Sequence, residues 1–381
     1  MEVKHRQRKR IGASIEGLGR VPRVTASAPD CLALLGDATG QNGGSVLACA
    51  TEPRIHVTAA ATDGAGIEVV GPRGTVLSVY PGDATGDVWS RRAAGVLREL
   101  AALEGGPVAM DHGGVRIDVS ASDVPGDPGP AYDVALARAL SALRGMTIPP
   151  RKIAGVGFRA SRSGQGDRRA GGAVVAHAVA ALARPNAALL VESASTAVEH
   201  VPLPFKLLLV RCGAPRVELA AQRVAECAAA LSALQLELPE LVWLASWPMA
   251  WLAKLKQVLA QPLRSRALHI LGESARARFG AELLLSRQYK RFGALIYESH
   301  VSWRRLYEGS SGVADRVVSA AKRAGAAGAR ATGLEGDVLV FVRGPHAKVE
   351  RAITAALRSA GATAAIAFIT PEAGVRLERS A

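Results

Sequence analysis

The sequence predicts an α+β protein built as two lobes. Three observations carry that reading. Residues 24–122 are rich in loosely alternating, β-prone runs. From about residue 214 the chain shifts to long helical stretches. A β–β–α–β pattern, from residues 328–332 through 363–369, closes the chain. The boundary falls near residue 204. Residues 1–23 form a basic tail, 24–204 a first lobe and 205–381 a second.

In order, residues 54–61, 66–70, 74–80 and 115–121 read as strands. Between them, residues 89–104 place Ala93, Val96, Leu97 and Leu100 on one helical stripe. Residues 133–143 form a second helix. Residues 155–172 carry six glycines with Arg159, Arg162, Arg168 and Arg169, a composition that predicts a mobile loop. Helix resumes over 172–183, and 187–192 and 206–212 are apolar strand runs joined by a proline-stiffened connector. Helices are predicted over 217–235, 241–259, 273–285, 287–307 and 313–324. Strand 337–342, helix 346–360 and strand 363–369 complete the chain.

The 381 residues suffice for two or three domains. A 49% hydrophobic content excludes a disordered chain. The four cysteines, at 31, 49, 212 and 227, have no CxxC spacing, which argues against a zinc ribbon or a disulfide scaffold. No apolar run reaches about 18 residues, so no membrane partner is expected. The basic stretch 1–10 has no apolar stretch after it, so no secretory signal is expected and a cytoplasmic location is. The formal net charge of +14 allows a polyanion partner through the tail and arginines. Aromatics are only 4% and do not interleave with basic residues, which argues against nucleic acid. There is no GxxxxGK[ST], GxGxxG, HExxH or GxSxG, and no metal-ligand spacing among the histidines.

One stretch carries a specific signal. Residues 28–50 read APDCLALLGDATGQNGGSVLACA. Ala28, Pro29, Leu34, Gly36, Thr39, Asn42, Gly43, Gly44, Val46, Leu47, Cys49 and Ala50 match, without a gap, the opening motif of galactokinases and their arabinokinase-like relatives. The chain therefore resembles the GHMP kinase superfamily. Likeness continues through 89–107, 113–125, 187–204, 291–307 and 328–333. The resemblance implies a first lobe like ribosomal protein S5 and a ferredoxin-like second lobe with added helices. It implies a sugar ligand, with Asp37, Asn42, Gly43 and Gly44 as substrate-binding candidates.

The family moves the ATP γ-phosphate to a sugar, which needs a phosphate cradle, positive charge and a residue on the hydroxyl. The family's motif-one arginine falls on Cys31. Its catalytic aspartate falls on Ala176, and the following glutamine on His177. In place of its serine-rich phosphate turn stand residues 124–133, where Pro128 and Pro130 lack amide donors and Asp127 and Asp133 add negative charge. The third motif is thinned to Gly333-Leu334-Glu335-Gly336-Asp337. The expectation is a pseudokinase with a binding or regulatory role, without a cofactor or a metal. The alternatives are an active sugar kinase that uses ATP and magnesium, with Asp37 or Asp167 as base, and a polyanion-binding protein.

Three further features stand out. Arg159, Arg162, Arg168 and Arg169 are candidates for an anion site. Trp243, Trp247 and Trp251, at i, i+4 and i+8 of the predicted 241–259 helix, are candidates for a protein-partner surface. His300 and Cys31 read as structural.

Overall fold

The computed structural model describes residues 22–64, 66–71, 76–79, 88–104, 114–121, 129–163, 171–205, 207–213, 216–334 and 336–378. Residues 1–21 of the basic tail, Asp127, Asp167, Arg168 and Arg169 lie outside the described residues, and Arg23, expected in the tail, opens the first strand.

The first lobe is built on one sheet. Its strands are β1 (Arg23–Leu35), β2 (Ser45–Thr62), β3 (Ile67–Val70), β4 (Val76–Val79), β5 (Gly114–Ala121), β6 (Ala187–Glu192), β7 (Ala197–Pro202) and β12 (Arg376–Leu377). The order is β12-β1-β2-β5-β3-β4. The long β2 serves two neighbours: Ser45–Ala48 pairs with β6, and Ile55–Thr62 pairs with β5. Its pairing with β1 shifts register between Pro29 and Asp30, where the strand turns from one neighbour to the other. Four helices join this lobe: α1 (Val88–Glu104), α2 (Pro130–Leu143), α3 (Pro150–Ser163) and α4 (Gly171–Leu182). Val96, Leu97 and Leu100 of α1 enter the same core as Val57 and Ile117 of the sheet. The end of the chain returns here. Arg54, 3% exposed, donates to the carbonyls of Ala373 and Gly374 at 2.8 Å each, and so ties β12 to β1.

The second lobe carries a four-stranded antiparallel sheet of β8 (Leu207–Arg211), β9 (Gly328–Thr332), β10 (Asp337–Phe341) and β11 (Ala365–Ile369), in the order β11-β8-β10-β9. Its helices are α5 (Val217–Gln235), α6 (Leu252–Val258), α7 (Leu263–Leu285), α8 (Tyr289–Ser302), α9 (Gly312–Arg323) and α10 (Ala347–Ser359). Both faces of β8 and β10 are buried, which explains their unbroken apolar sequences. Leu208, Val210, Val338 and Val340 pack under α5, α9 and α10. Leu207, Leu209, Leu339 and Phe341 meet Leu34, Leu35 and Leu47 of the first lobe. An apolar core thus continues from one lobe to the other.

Several sequence expectations are corrected. Arg159 and Arg162 are not in a loop, because α3 runs to Ser163. Pro150 opens that helix, and Ile153, Ala154, Val156 and Ala160 are buried on one face. Gly155 and Gly157 misled the reading. Gly157 is there for close packing: a Cβ on it would lie 2.9 Å from His177 Cδ2. The 241–259 helix is absent. Pro248 interrupts it, leaving two single 3₁₀ turns and the short α6. Helix α7 begins ten residues earlier than expected, since its interior Gly272 does not break it. Helix α8 ends at Ser302 in a π-turn, Trp303–Tyr307, and strand β7 takes in Val201 and Pro202 of the expected 201–204 connector, pairing with β6.

Candidate functional site

A cleft of about 530 Å³ opens between the lobes. Its walls come from β1, the turn after β1, helix α4, strand β8 and the β9–β10 connection. Asp30, Cys31, Asp37, Ala176, Arg211 and Asp337 face it.

The turn over residues 36–44 presents Asp37. Gly36, at φ +93°, and Gly43, at φ +77°, take up the left-handed conformations that the reversal needs. The Thr39 hydroxyl lies 2.7 Å from the Gly36 carbonyl and 2.6 Å from that of Ser45. Asn42 Nδ2 donates to the Ala38 carbonyl at 2.8 Å. Of the four substrate candidates, only Asp37 lines the cleft. Asn42, Gly43 and Gly44 build the turn that carries it. Gly43 is doubly constrained, because a Cβ there would also fall 2.3 Å from Trp243 Cγ. Gly43→Ala will destabilise the protein by about 2–4 kcal/mol, the sum of left-handed strain and overpacking. A shift of the urea midpoint at constant slope measures it. A loss below about 1 kcal/mol would mean that Trp243 simply moves aside.

Beneath the turn lies a buried ionic network. Arg330 of β9, with no exposed surface, donates from Nη2 to Asp37 Oδ2 at 2.5 Å and from Nη1 to the Leu34 carbonyl at 3.0 Å. The Gly333 amide also donates to Asp37 Oδ2, at 3.2 Å. Glu273 of α7, equally buried, accepts from the Gly36 amide at 3.2 Å, Ser299 Oγ at 2.5 Å and Arg276 Nε at 2.7 Å. Burial alone would raise the Glu273 pKa, but Arg330 and Arg276 outweigh it and bring it down to about 2. His269 Nε2 lies 3.3 Å from the Asp37 carbonyl, and burial lowers its pKa to about 4.

No family model matches the chain. It is 29% identical over 329 residues to a galactokinase of Roseiflexus sp. (strain RS-1), covering 82% of this chain and 81% of that protein. It is 26% identical over 333 residues to a galactokinase of Chloroflexus aggregans, covering 83% and 82% of the two chains. The solved Lactococcus lactis galactokinase, complexed with galactose, superposes with a TM-score of 0.82 at 17% identity, over 98% of this chain and 99% of that one. The Methanococcus jannaschii mevalonate kinase follows at 0.59 and 14% identity, over 93% and 99%. This chain is galactokinase-like, within the GHMP kinase superfamily.

In this galactokinase-like chain, the positions that the resemblance assigns to the arginine and the catalytic aspartate both reach the cleft wall. They are Cys31 and Ala176. Burial pushes the Cys31 thiol well above its ordinary range, so it is neutral. Burial also raises Asp30 and Asp337, and Arg211 pulls both back. His177 turns away from the cleft. With 1% exposure, its Nε2 lies 2.9 Å from Asp133 Oδ2, and Arg92 Nε binds the same carboxylate at 2.8 Å. The Asp133 of the lost phosphate turn is therefore an internal tie between α1, α2 and α4.

Arg159 pairs with Glu99 of α1 at 2.5 Å, and Arg162 lies over the Phe158 ring at 5.5 Å. The tryptophans do not share a face. Trp243 covers Gly43, Trp247 is 2% exposed, and Trp251 is 40% exposed. His300 is buried, with the Ala331 amide donating to Nδ1 at 3.3 Å.

Sequence reasoning missed Glu273 and Arg330. A signal existed for the second: an arginine enclosed by Gly328, Ala329 and Ala331 in a strand leaves no bulky neighbour to shield and has room for a buried guanidinium. No comparable pattern marks Glu273 among the charges of α7.

Proposed function

We propose that this protein is a non-catalytic relative of the galactokinases that binds a sugar in the interlobe cleft and acts as a binding or regulatory protein. The pairing of Cys31 with Ala176 on the cleft wall carries this reading. Phosphoryl transfer needs positive charge where negative charge develops and a group to take the hydroxyl proton. A neutral thiol and a methyl group supply neither.

The charge of the cleft points the same way. Among the described lining residues, Asp30, Asp37 and Asp337 stand against Arg211 alone. Three carboxylates against one arginine do not favour a triphosphate. They do fit a neutral polyol. Asp37 Oδ2 is fixed by Arg330 and Gly333, and Oδ1 is left to accept from a ligand hydroxyl.

A second reading, an ATP- and magnesium-dependent sugar kinase forming a sugar 1-phosphate, draws on the likeness to galactokinases over four fifths of the chain. Thermal-shift titrations with Mg-ATP, galactose and arabinose, run beside an ADP-release assay, separate the two. A sugar at 100 times its Kd will stabilise by about 2.7 kcal/mol. Mg-ATP at millimolar levels will leave the melting temperature unchanged, and no ADP will form. A shift with Mg-ATP together with sugar-dependent ADP release would establish the kinase instead.

A further inference from the structure

Helices α9 and α10 leave a groove of about 770 Å³ between them on the outer side of the second lobe. Helix α10 sets its large aliphatic side chains on one face and a strip of alanines beside it. Val349, Ile353 and Leu357 point into the core. Ala352, Ala355 and Ala356 line the groove, with Ala320 and Ala324 of α9 opposite. An outward helix face of a soluble protein is usually polar. Here its floor is alanine.

The rim is cationic. Arg316 and Arg323 stand on α9 and Lys348 on α10, all exposed. None of the three has a hydrogen bond or an ion pair among the described residues, whereas Arg223, Arg266, Arg276 and Arg330 are all paired. The single acidic lining residue, Asp315, is committed elsewhere. It accepts from Ser310 Oγ at 2.6 Å and lies 3.5 Å from His300 Nε2. Arg316 and Arg323 are seven residues apart, which is two helical turns or about 10 Å.

We propose that this groove docks an acidic amphipathic helix of a partner protein. Small side chains let a third helix approach closely, and its acids, spaced by two turns, meet Arg316 and Arg323. Lys348 receives a third carboxylate from the opposite side. A second copy of this chain does not suit the groove, because each copy carries a net charge of +14. A single-stranded nucleic acid would be expected to stack on aromatic platforms, and the lining has none.

The test is fluorescence anisotropy with a labelled amphipathic peptide that carries leucine on one face and glutamates seven residues apart. Controls are its lysine-for-glutamate counterpart and a labelled single-stranded oligonucleotide. The acidic peptide will bind the intact protein. Arg316→Glu with Arg323→Glu, and separately Ala355→Trp, will each weaken it at least about tenfold, near 1.4 kcal/mol. All three positions are exposed, so the melting curves of the variants will match that of the parent. Equal binding of the acidic and basic peptides, or an unchanged affinity in Ala355→Trp, overturns the proposal. So does tighter binding of the oligonucleotide that responds to the charge reversal alone.

Discussion

Replacing Arg330 with methionine will cost about 3–5 kcal/mol of unfolding free energy. The guanidinium is fully buried and donates to three acceptors, Asp37 and the carbonyls of Leu34 and Ala331, with Glu273 paired to it at 3.8 Å. Methionine fills much of the same volume, so cavity formation contributes little. The cost comes from two carboxylates that lose their shared cation, one of them inaccessible to water. The same substitution frees Asp37, so sugar-induced stabilisation will also disappear. Urea unfolding reads the first effect and thermal shift with galactose reads the second. Adding Glu273→Gln will recover part of the stability, because the amide needs no counter-charge; a coupling of about 1–3 kcal/mol is expected from the double-mutant cycle. A loss under 1 kcal/mol for Arg330→Met would show that Arg276 alone neutralises Glu273.

Acid will destabilise the protein in two windows. Burial holds His269 and His300 neutral in the folded state, with pKa values lowered to about 4 in each. In the unfolded chain an imidazole takes its proton near pH 6.5. Between those values the unfolded state binds more protons, so stability falls as the pH falls from 6.5 to 4, by at most about 3 kcal/mol per histidine. Glu273 acts lower. Its pKa of about 2 lies below the unfolded value near 4.3, so its contribution is complete above 4.3 and is lost as the pH drops toward 2. Urea midpoints measured from pH 7.5 to 3 will show the first slope, and His269→Gln will remove about half of it. A flat profile between pH 6.5 and 4 would mean that water reaches both rings.

The fold was legible because its signals are local. The gapless pattern over residues 28–50, the strand periodicity of residues 115–121 and the closing β–β–α–β order each sit in one continuous stretch. Where two local signals conflicted, the reading failed. Glycines at 155 and 157 argued for a loop, yet α3 runs through them, because the buried face of Ile153, Val156 and Ala160 outweighs a cost of about 1 kcal/mol per glycine. Residues 241–259 read as one helix from their apolar, alanine- and leucine-rich composition, and Pro248 prevents it in the structure.

By itself the sequence determined the superfamily likeness, the α+β class and the absence of charge at positions 31 and 176. It did so because motif spacing and side-chain identity are properties of the chain. Only the tertiary structure decided that Cys31 and Ala176 share one cleft wall with Asp30, Asp37 and Asp337, that Arg159 pairs with Glu99, and that Arg162 lies over Phe158. It alone decided that Asp37 rests on Arg330, 293 residues away, and that Arg330 shares its charge with Glu273. Burial and charge pairing arise from the packing of distant segments, and no local pattern encodes which carboxylate a buried guanidinium will meet.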